Sequence, residues 1–157
     1  MSQVPSKTER TYKEPVAVQF SMFLANRVGQ LKELMDYLAK EDIEVAGLSI
    51  IDSTDWAVIR VVFASNEKAR EALKRHQIPF TESEVLLVCL PEPESLAGIC
   101  DYLLRAEINV HFAYSLMVRH GDFPILVLHV DDLGIAQHVL LRHGMTLLGE
   151  GDLANVS

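Results

Sequence analysis

Cysteine is scarce in this chain of 157 residues, which has only Cys89 and Cys100. Both lie within apolar patterns, where a free cysteine is typical of a small core residue. Two cysteines placed in this way do not indicate a disulfide framework, which argues against a small secreted fold held together by disulfides. We expect the protein to be cytoplasmic.

Long apolar runs are missing as well. A membrane-spanning helix needs roughly 18 consecutive apolar residues, and no stretch of the chain approaches that length. The first fourteen residues, MSQVPSKTERTYKE, are polar and lack the apolar segment of a signal peptide. We therefore predict no membrane association, and we expect residues 1–14 to form a disordered tail.

Positive charge is in the minority. Lys and Arg total 14 against 22 Asp and Glu, which gives a net charge of −8. A surface that binds nucleic acid needs clustered Lys and Arg to neutralise phosphates. Only two short basic clusters occur, one within residues 68–75 and one at Arg119 and His120. We therefore predict that the protein does not bind nucleic acid.

Motifs for metal binding and catalysis are absent. The six histidines form no HExxH pattern, the two cysteines form no Cys-x-x-Cys pair, and there is no P-loop or GxGxxG motif. The sequence therefore predicts no metal, no cofactor and no catalytic residue. Spatial partners of either cysteine stay open at this point.

What the chain does contain is an internal duplication. Three pairs of segments match in the same order: YLAKEDIEV (37–45) with YLLRAEINV (102–110), DWAVIRVVF (55–63) with DFPILVLHV (122–130), and ALKRHQIPF (72–80) with VLLRHGMTL (139–147). The first pair is offset by 65 residues and the other two by 67. Matches in this order over most of the chain indicate two copies of one unit.

Each copy has the same order of predicted elements. In the first, β-branched and aromatic residues predict strands at 15–23, 43–52 and 56–64, and apolar spacing predicts helices at 28–41 and from Ser65, a candidate N-cap, to about His76. The segment IPFTES (78–83) closes the first unit and leads directly into the second. In the second, we predict a strand beginning near 84, a helix at 95–106, strands at 108–118 and 123–130, a helix at 132–143 and a final strand near 145–150.

The order βαββαβ, repeated, predicts two ferredoxin-like units at residues 15–83 and 84–151. The fold class is then α+β, with two helices on one face of each antiparallel sheet. On the strand at 56–64, Trp56, Val58 and Val62 share one face with Arg60, and the other face is apolar too. A sheet that is apolar on both sides needs a cover on its second face. That cover is either the other copy's sheet or another subunit, and we expect a homodimer.

A duplicated βαββαβ chain with NRVGQL (26–31) after its first strand resembles the ACT domain family, which comprises small regulatory modules that bind amino acids and similar metabolites. The resemblance covers about residues 15–150 and is closest to bacterial stand-alone proteins with two ACT units. It implies that a ligand lies between this loop and the second strand of a neighbouring unit.

The resemblance assigns the loop side of the site to Asn26, Arg27, Val28, Gly29, Gln30 and Leu31. A helix N-terminus presents free amide hydrogens to a carboxylate, and a glycine lets a ligand approach the backbone closely. Other roles stay open: Asn26 as the helix cap, Gly29 as relief of crowding, and Leu31 as an anchor between helix and sheet.

The facing side comes from the second copy if the two units pack edge to edge. Asn109 and His111 are then the candidate contacts. Asn109 could instead satisfy the backbone of an edge strand, and His111 could be an ordinary half-buried histidine. The second copy's own loop has no glycine and carries Glu92 and Glu94, so we expect its site to be weak or absent, or to prefer a cation.

The predicted function is therefore a non-catalytic regulator that binds a small ligand, most simply an amino acid. Two alternatives remain from the sequence. One is a regulatory subunit of an amino-acid biosynthetic enzyme, and the other is an enzyme on a ferredoxin-like scaffold.

Overall fold

The structure, a computed structural model, describes residues 16–25, 29–53 and 55–154. Its elements, in chain order, are β1 Ala17–Ala25, α1 Gln30–Lys40, β2 Val45–Asp52, β3 Trp56–Phe63, α2 Asn66–Arg75, β4 Phe80–Cys89, α3 Ser95–Arg105, β5 Val110–His120, β6 Phe123–Val130, α4 Leu133–Arg142, β7 Leu147–Leu148 and α5 Glu150–Ala154. No helix in these ranges is long and apolar enough to cross a membrane. The predicted tail at residues 1–14 lies outside the described residues.

The two predicted βαββαβ units are confirmed. The first unit has an antiparallel sheet in the order β4-β1-β3-β2, and the second has the order β7-β4-β6-β5. These two orders are identical once the strands of each unit are numbered from its own beginning. The duplication seen in the sequence is therefore a duplication of topology.

Strand β4 belongs to both units. Residues 80–85 pair with β1, and residues 86–89 pair with β6. Strand β7 pairs with the same second half of β4. The pairing passes from one unit to the other between Val85 and Leu86, and no residue separates the two halves. The division predicted between residues 83 and 84 falls inside this shared strand.

The end of the chain differs from the prediction. In place of a strand near 145–150, β7 has two residues and is followed by α5. The Glu150 carboxylate accepts a hydrogen bond from the backbone N–H of Asn66 at 2.8 Å, which ties α5 to the start of α2. The helical turn also brings Leu153, which is 2% exposed, into the core. Burial of this leucine favours a helix over a longer strand.

Three apolar clusters form the interior. One lies between the helices and sheet of the first unit, and its largest side chains include Phe20, Phe63 and Leu38. A second is its counterpart in the second unit. The third lies between the two sheets and is formed by Ala17, Ala46, Val62, Val85, Leu87, Leu116, Ile125, Val127, Leu148 and Leu153. Part of the second face of each sheet is therefore covered by the other copy's sheet, which is one of the two covers that the sequence predicted.

Local details repeat between the units. The predicted N-cap Ser65 accepts from the N–H of Lys68 at 3.5 Å, and its equivalent Asp132 accepts from Ile135 at 3.0 Å. A tyrosine from the first helix of each unit stacks on a histidine at the end of the second. The Tyr37–His76 and Tyr102–His143 ring centroids are each 4.0 Å apart.

Candidate functional site

Gly29 stands at the N-cap of α1, in the left-handed region with φ 94°. This conformation strongly favours glycine, because a Cβ would be strained there. Within the described residues no side chain caps the helix. Asn26, Arg27 and Val28, the rest of the predicted loop, lie outside the described residues.

A cavity of about 160 Å³ lies under the start of α1. Gln30 and Leu31 line it from the helix. The ends of the three neighbouring strands supply the remaining lining residues, which are Leu24, Ala25, Ile50, Asp52, Ala57 and Ile59. The walls are mostly apolar, and Asp52 is the charged residue among them. At about 30 Å³ per water molecule, the volume suits the polar end of a small metabolite.

The structure does not bring Asn109 and His111 to this cavity within one chain, because the units pack face to face rather than edge to edge. Asn109 precedes β5 and is bound to Asp131: its backbone N–H and its side-chain amide donate to that carboxylate at 3.2 and 3.1 Å. His111 is exposed, with its ring 5.3 Å from that of His129.

The equivalent loop of the second unit has a different construction. Glu94 occupies the N-cap of α3, the place that Gly29 has on α1, and its φ of −81° is right-handed. The hydroxyl of Ser95 accepts from the backbone N–H of Glu92 at 3.1 Å. Two carboxylates at a helix start would repel an anionic ligand. The asymmetry between the two loops is therefore one of backbone conformation as well as of charge.

No three His, Cys, Asp or Glu side chains converge as a metal site within the described ranges. Cys89 is buried, and burial raises the pKa of its thiol. A raised pKa keeps the thiol protonated, which is the reverse of what a nucleophile needs.

Residues 16–157 match the family model of an ACT domain pair. The chain belongs to the ACT domain family. A solved structure similar to this ACT domain pair is that of protein BT0572 from Bacteroides thetaiotaomicron, with 27% identity and a TM-score of 0.81 over 90% of this chain and 98% of that one. The ligand-free regulatory subunit of aspartate kinase from Thermus thermophilus, with 14% identity and a TM-score of 0.54 over 80% of this chain and 90% of that one, shares the fold. No curated protein matches significantly.

At the contact between the two sheets of this ACT domain pair, Arg60 meets aromatic and polar residues that the sequence did not single out. The Arg60 guanidinium lies 4.0 Å from the centroid of the Phe112 ring, and Phe112 stacks on His129 at 4.7 Å. We call these three residues the inter-sheet cluster. Beside it, the Tyr114 hydroxyl donates to Oε1 of the buried Gln19 at 2.7 Å, and burial raises the pKa of Tyr114. In the sequence, only Arg60 indicates this cluster, because it is a charged residue on an otherwise apolar strand face.

An open apolar depression lies farther along the same sheet face of the ACT domain pair. It has a volume of about 530 Å³ and is lined by Phe23, Ser53, Trp56 and Val58. Phe23 is 52% and Trp56 55% exposed, unusually high values for large apolar side chains. The second unit therefore covers only part of the face that the first unit presents to it.

Proposed function

We propose that this ACT domain pair is a non-catalytic regulatory protein that binds an amino acid at the start of α1, with residues 26–31 as the loop side of the site. The observation that carries the proposal is the combination of a left-handed Gly29, an uncapped helix start in the described residues, and a cavity directly beneath them. Asn109 and His111 are not part of the proposed site within one chain.

The charges around the cavity suit a zwitterion. The first-turn amides of α1 carry partial positive charge and can donate to a carboxylate. Asp52, at the end of β2, places a negative charge on the wall from the opposite side. An α-amino acid has a carboxylate and an ammonium group attached to the same carbon, so one small ligand can approach both the helix start and Asp52.

The first experiment is a thermal-shift screen of the twenty amino acids, followed by calorimetry on the one that stabilises the protein most. A ligand that binds only the folded state at 100 times its dissociation constant adds about 2.7 kcal/mol of stability. We expect Gly29→Val to weaken binding at least about tenfold, because contacts with a charged group are worth roughly 1.5–3 kcal/mol.

The matched control is Gly121→Val. Gly121 also has a positive φ, 62°, and open space around an added Cβ, but it lies in the turn between β5 and β6. This variant carries the same kind of backbone strain without touching the site. An equal loss of affinity in both variants would show that backbone strain, rather than the site at α1, causes the loss. Unchanged affinity in Gly29→Val would show that the ligand binds elsewhere.

We propose that a second chain supplies the facing side of the cavity at α1, which Asn109 and His111 do not supply within one chain. A homodimer is therefore part of the proposal. The apolar second face of the sheets is only a weak argument for a dimer, because Val62 and Ile125 on that face are buried within one chain. Strand β2 supplies a better reason, because it is an outer strand of its sheet and its end lines the cavity. We expect the amino acid to strengthen dimerisation in sedimentation equilibrium, and a monomer with and without ligand would contradict this.

As the regulated partner we propose an enzyme of amino-acid biosynthesis, since a non-catalytic regulatory protein of the kind proposed acts by changing the activity of another protein. The similarity to the aspartate kinase regulatory subunit supports this only at the level of the fold. The test is whether an enzyme that co-purifies with the tagged protein changes its activity when the amino acid is added.

A further inference from the structure

On the uncovered part of the first unit's sheet, the side chains of β1, β3 and β2 form rows across the strands. Because paired residues on neighbouring strands project to the same side, the strand register defines which side chains are neighbours. Phe23 and Ile51 both pair with Val58 and form an apolar row. Ser21 and Ser49 both pair with Arg60 and form the next row, which is polar.

The polar row lies at the border of the second unit. Phe112 of that unit lies over the Arg60 guanidinium and stacks on His129, as described above for the inter-sheet cluster. Among the described residues, no carboxylate forms an ion pair with Arg60. His111 is a further basic group, 5.3 Å from His129. A guanidinium and two imidazoles therefore meet here without an acidic partner in that part of the chain.

His129 reports on the same environment. Its Nδ1 atom is buried and has no hydrogen-bond partner among the described residues. Burial lowers the pKa of this histidine, and the positive groups His111 and Arg60 lower it further. Burial disfavours a charge of either sign, whereas the contribution of the Arg60 guanidinium is the part of this environment that favours a negative charge. An unpaired guanidinium also prefers a carboxylate to water, because the pair is planar and bidentate.

The apolar row opens directly into the depression of about 530 Å³. Ile51 is 44% exposed beside Phe23 and Trp56. Covering such side chains removes apolar surface from water, which is favourable for a hydrocarbon tail. The cavity at α1 is separate, because its lining residues Ile50 and Ile59 lie on the helix side of the same sheet.

We propose that this sheet face is a second ligand site, specific for an apolar monocarboxylate without a positive charge, with the carboxylate at Arg60 and the hydrocarbon tail over Phe23, Val58 and Trp56. Ser21 and Ser49 flank the carboxylate as hydroxyl donors. An amino acid fits less well, because its ammonium group meets the guanidinium of Arg60. The proposal goes beyond the amino-acid site at α1 and does not depend on it.

The experiment uses 3-phenylpropanoate as the probe and the fluorescence of Trp56 as the readout, since Trp56 is the only tryptophan in the chain. The uncharged 3-phenylpropanamide and the zwitterion phenylalanine have the same ring and nearly the same length. We expect saturable binding of the acid, and at least about tenfold weaker binding of the other two compounds at this fluorescence-reported site, because each lacks or offsets the anionic charge.

The variant that tests the anion contact is Arg60→Gln, which keeps part of the side chain over Phe112 and removes the charge. We expect at least about tenfold weaker binding of 3-phenylpropanoate, with an unfolding transition like that of the parent protein. Arg105→Gln is the control, because this arginine is exposed on α3 and pairs with Asp101 at 3.0 Å. It should leave the affinity unchanged.

Gly29→Val separates this site from the amino-acid site. It should not change the binding of 3-phenylpropanoate, although we expect it to weaken amino-acid binding at α1. Equal affinity for the acid and the amide would overturn the proposal, and so would unchanged affinity in a folded Arg60→Gln protein or a lack of saturable binding at millimolar acid. If Arg60→Gln does not fold, the acid and amide comparison on the parent protein decides the matter alone.

Discussion

Gly47 of β2 lies so close to Leu116 of β5 that a Cβ added to the glycine would stand 2.5 Å from Cδ2 and 3.0 Å from Cα of the leucine. The two residues come from different units and are opposite each other in the core between the sheets. Cα belongs to the backbone and cannot rotate away. This contact therefore sets how closely the two sheets approach each other.

Gly47→Ala should destabilise the protein by about 1–3 kcal/mol, the usual range for adding a methyl group to a filled core. The measurement is the free energy of unfolding in urea. Gly98→Ala is a control with the opposite expected sign. Gly98 lies inside α3, its added Cβ meets Tyr102 only at ordinary distances of 3.7 Å and more, and alanine is favoured over glycine in a helix by about 0.5–1 kcal/mol. A neutral Gly47→Ala would mean that the sheets separate at little cost.

Gln77→Gly should stabilise the protein by about 1 kcal/mol. All four longer helices end in the same way, with the residue after the C-cap at positive φ and a hydrogen bond across the helix end, such as Ile78 N–H to the carbonyl of Leu73 at 2.9 Å. Gln77 adopts φ 59°, where a residue with a side chain is strained by about 1–2 kcal/mol.

The duplication supplies the control for this change. Gly144 is the equivalent of Gln77 and already has a glycine at φ 80°. Gly144→Gln should lower the melting temperature, while Gln77→Gly raises it. Two shifts of the same sign would show that the side chain of Gln77, rather than its backbone conformation, matters for stability.

Glu82→Gln should lower stability at neutral pH and have less effect in acid. The Arg70 guanidinium donates to both carboxylate oxygens of Glu82, at 2.7 and 2.8 Å. These hydrogen bonds lower the pKa of Glu82 below its ordinary value of 4.5 in the folded protein. A depressed folded pKa contributes stability above the unfolded pKa, and this contribution is lost as the pH falls through the folded pKa.

The difference in unfolding free energy between parent and variant should therefore be largest above pH 4.5 and shrink below it. For a pair that is partly exposed to solvent, about 0.2–1 kcal/mol is expected. Glu84→Gln, at an exposed position on the same strand, is the comparison for the loss of one negative charge. A constant difference for Glu82→Gln across the acid range would show that the ion pair contributes nothing.

The sequence by itself determined what depends on neighbouring residues along the chain. The two copies, the order of their elements and the N-cap at Ser65 follow from repeats, periodicity and local hydrogen bonding. The family follows from the loop sequence placed at the right junction, and the apolar second face of the strand at 56–64 required a cover. Apart from the duplication, which emerges from a comparison of segments 65 to 67 residues apart, each of these features is set by residues close together in the chain.

Only the tertiary structure decided which cover that face receives and what lies at its border. Alternation along a strand shows that Arg60 shares a face with Val58, but the partner surface is far away in sequence. The shared strand β4 brings the sheets together face to face. This packing buries Val62, leaves Trp56 exposed to solvent and places Phe112 over Arg60. Asn109 is bound to Asp131 and lies away from α1. Such contacts depend on the rotation between two rigid sheets, which no local pattern encodes.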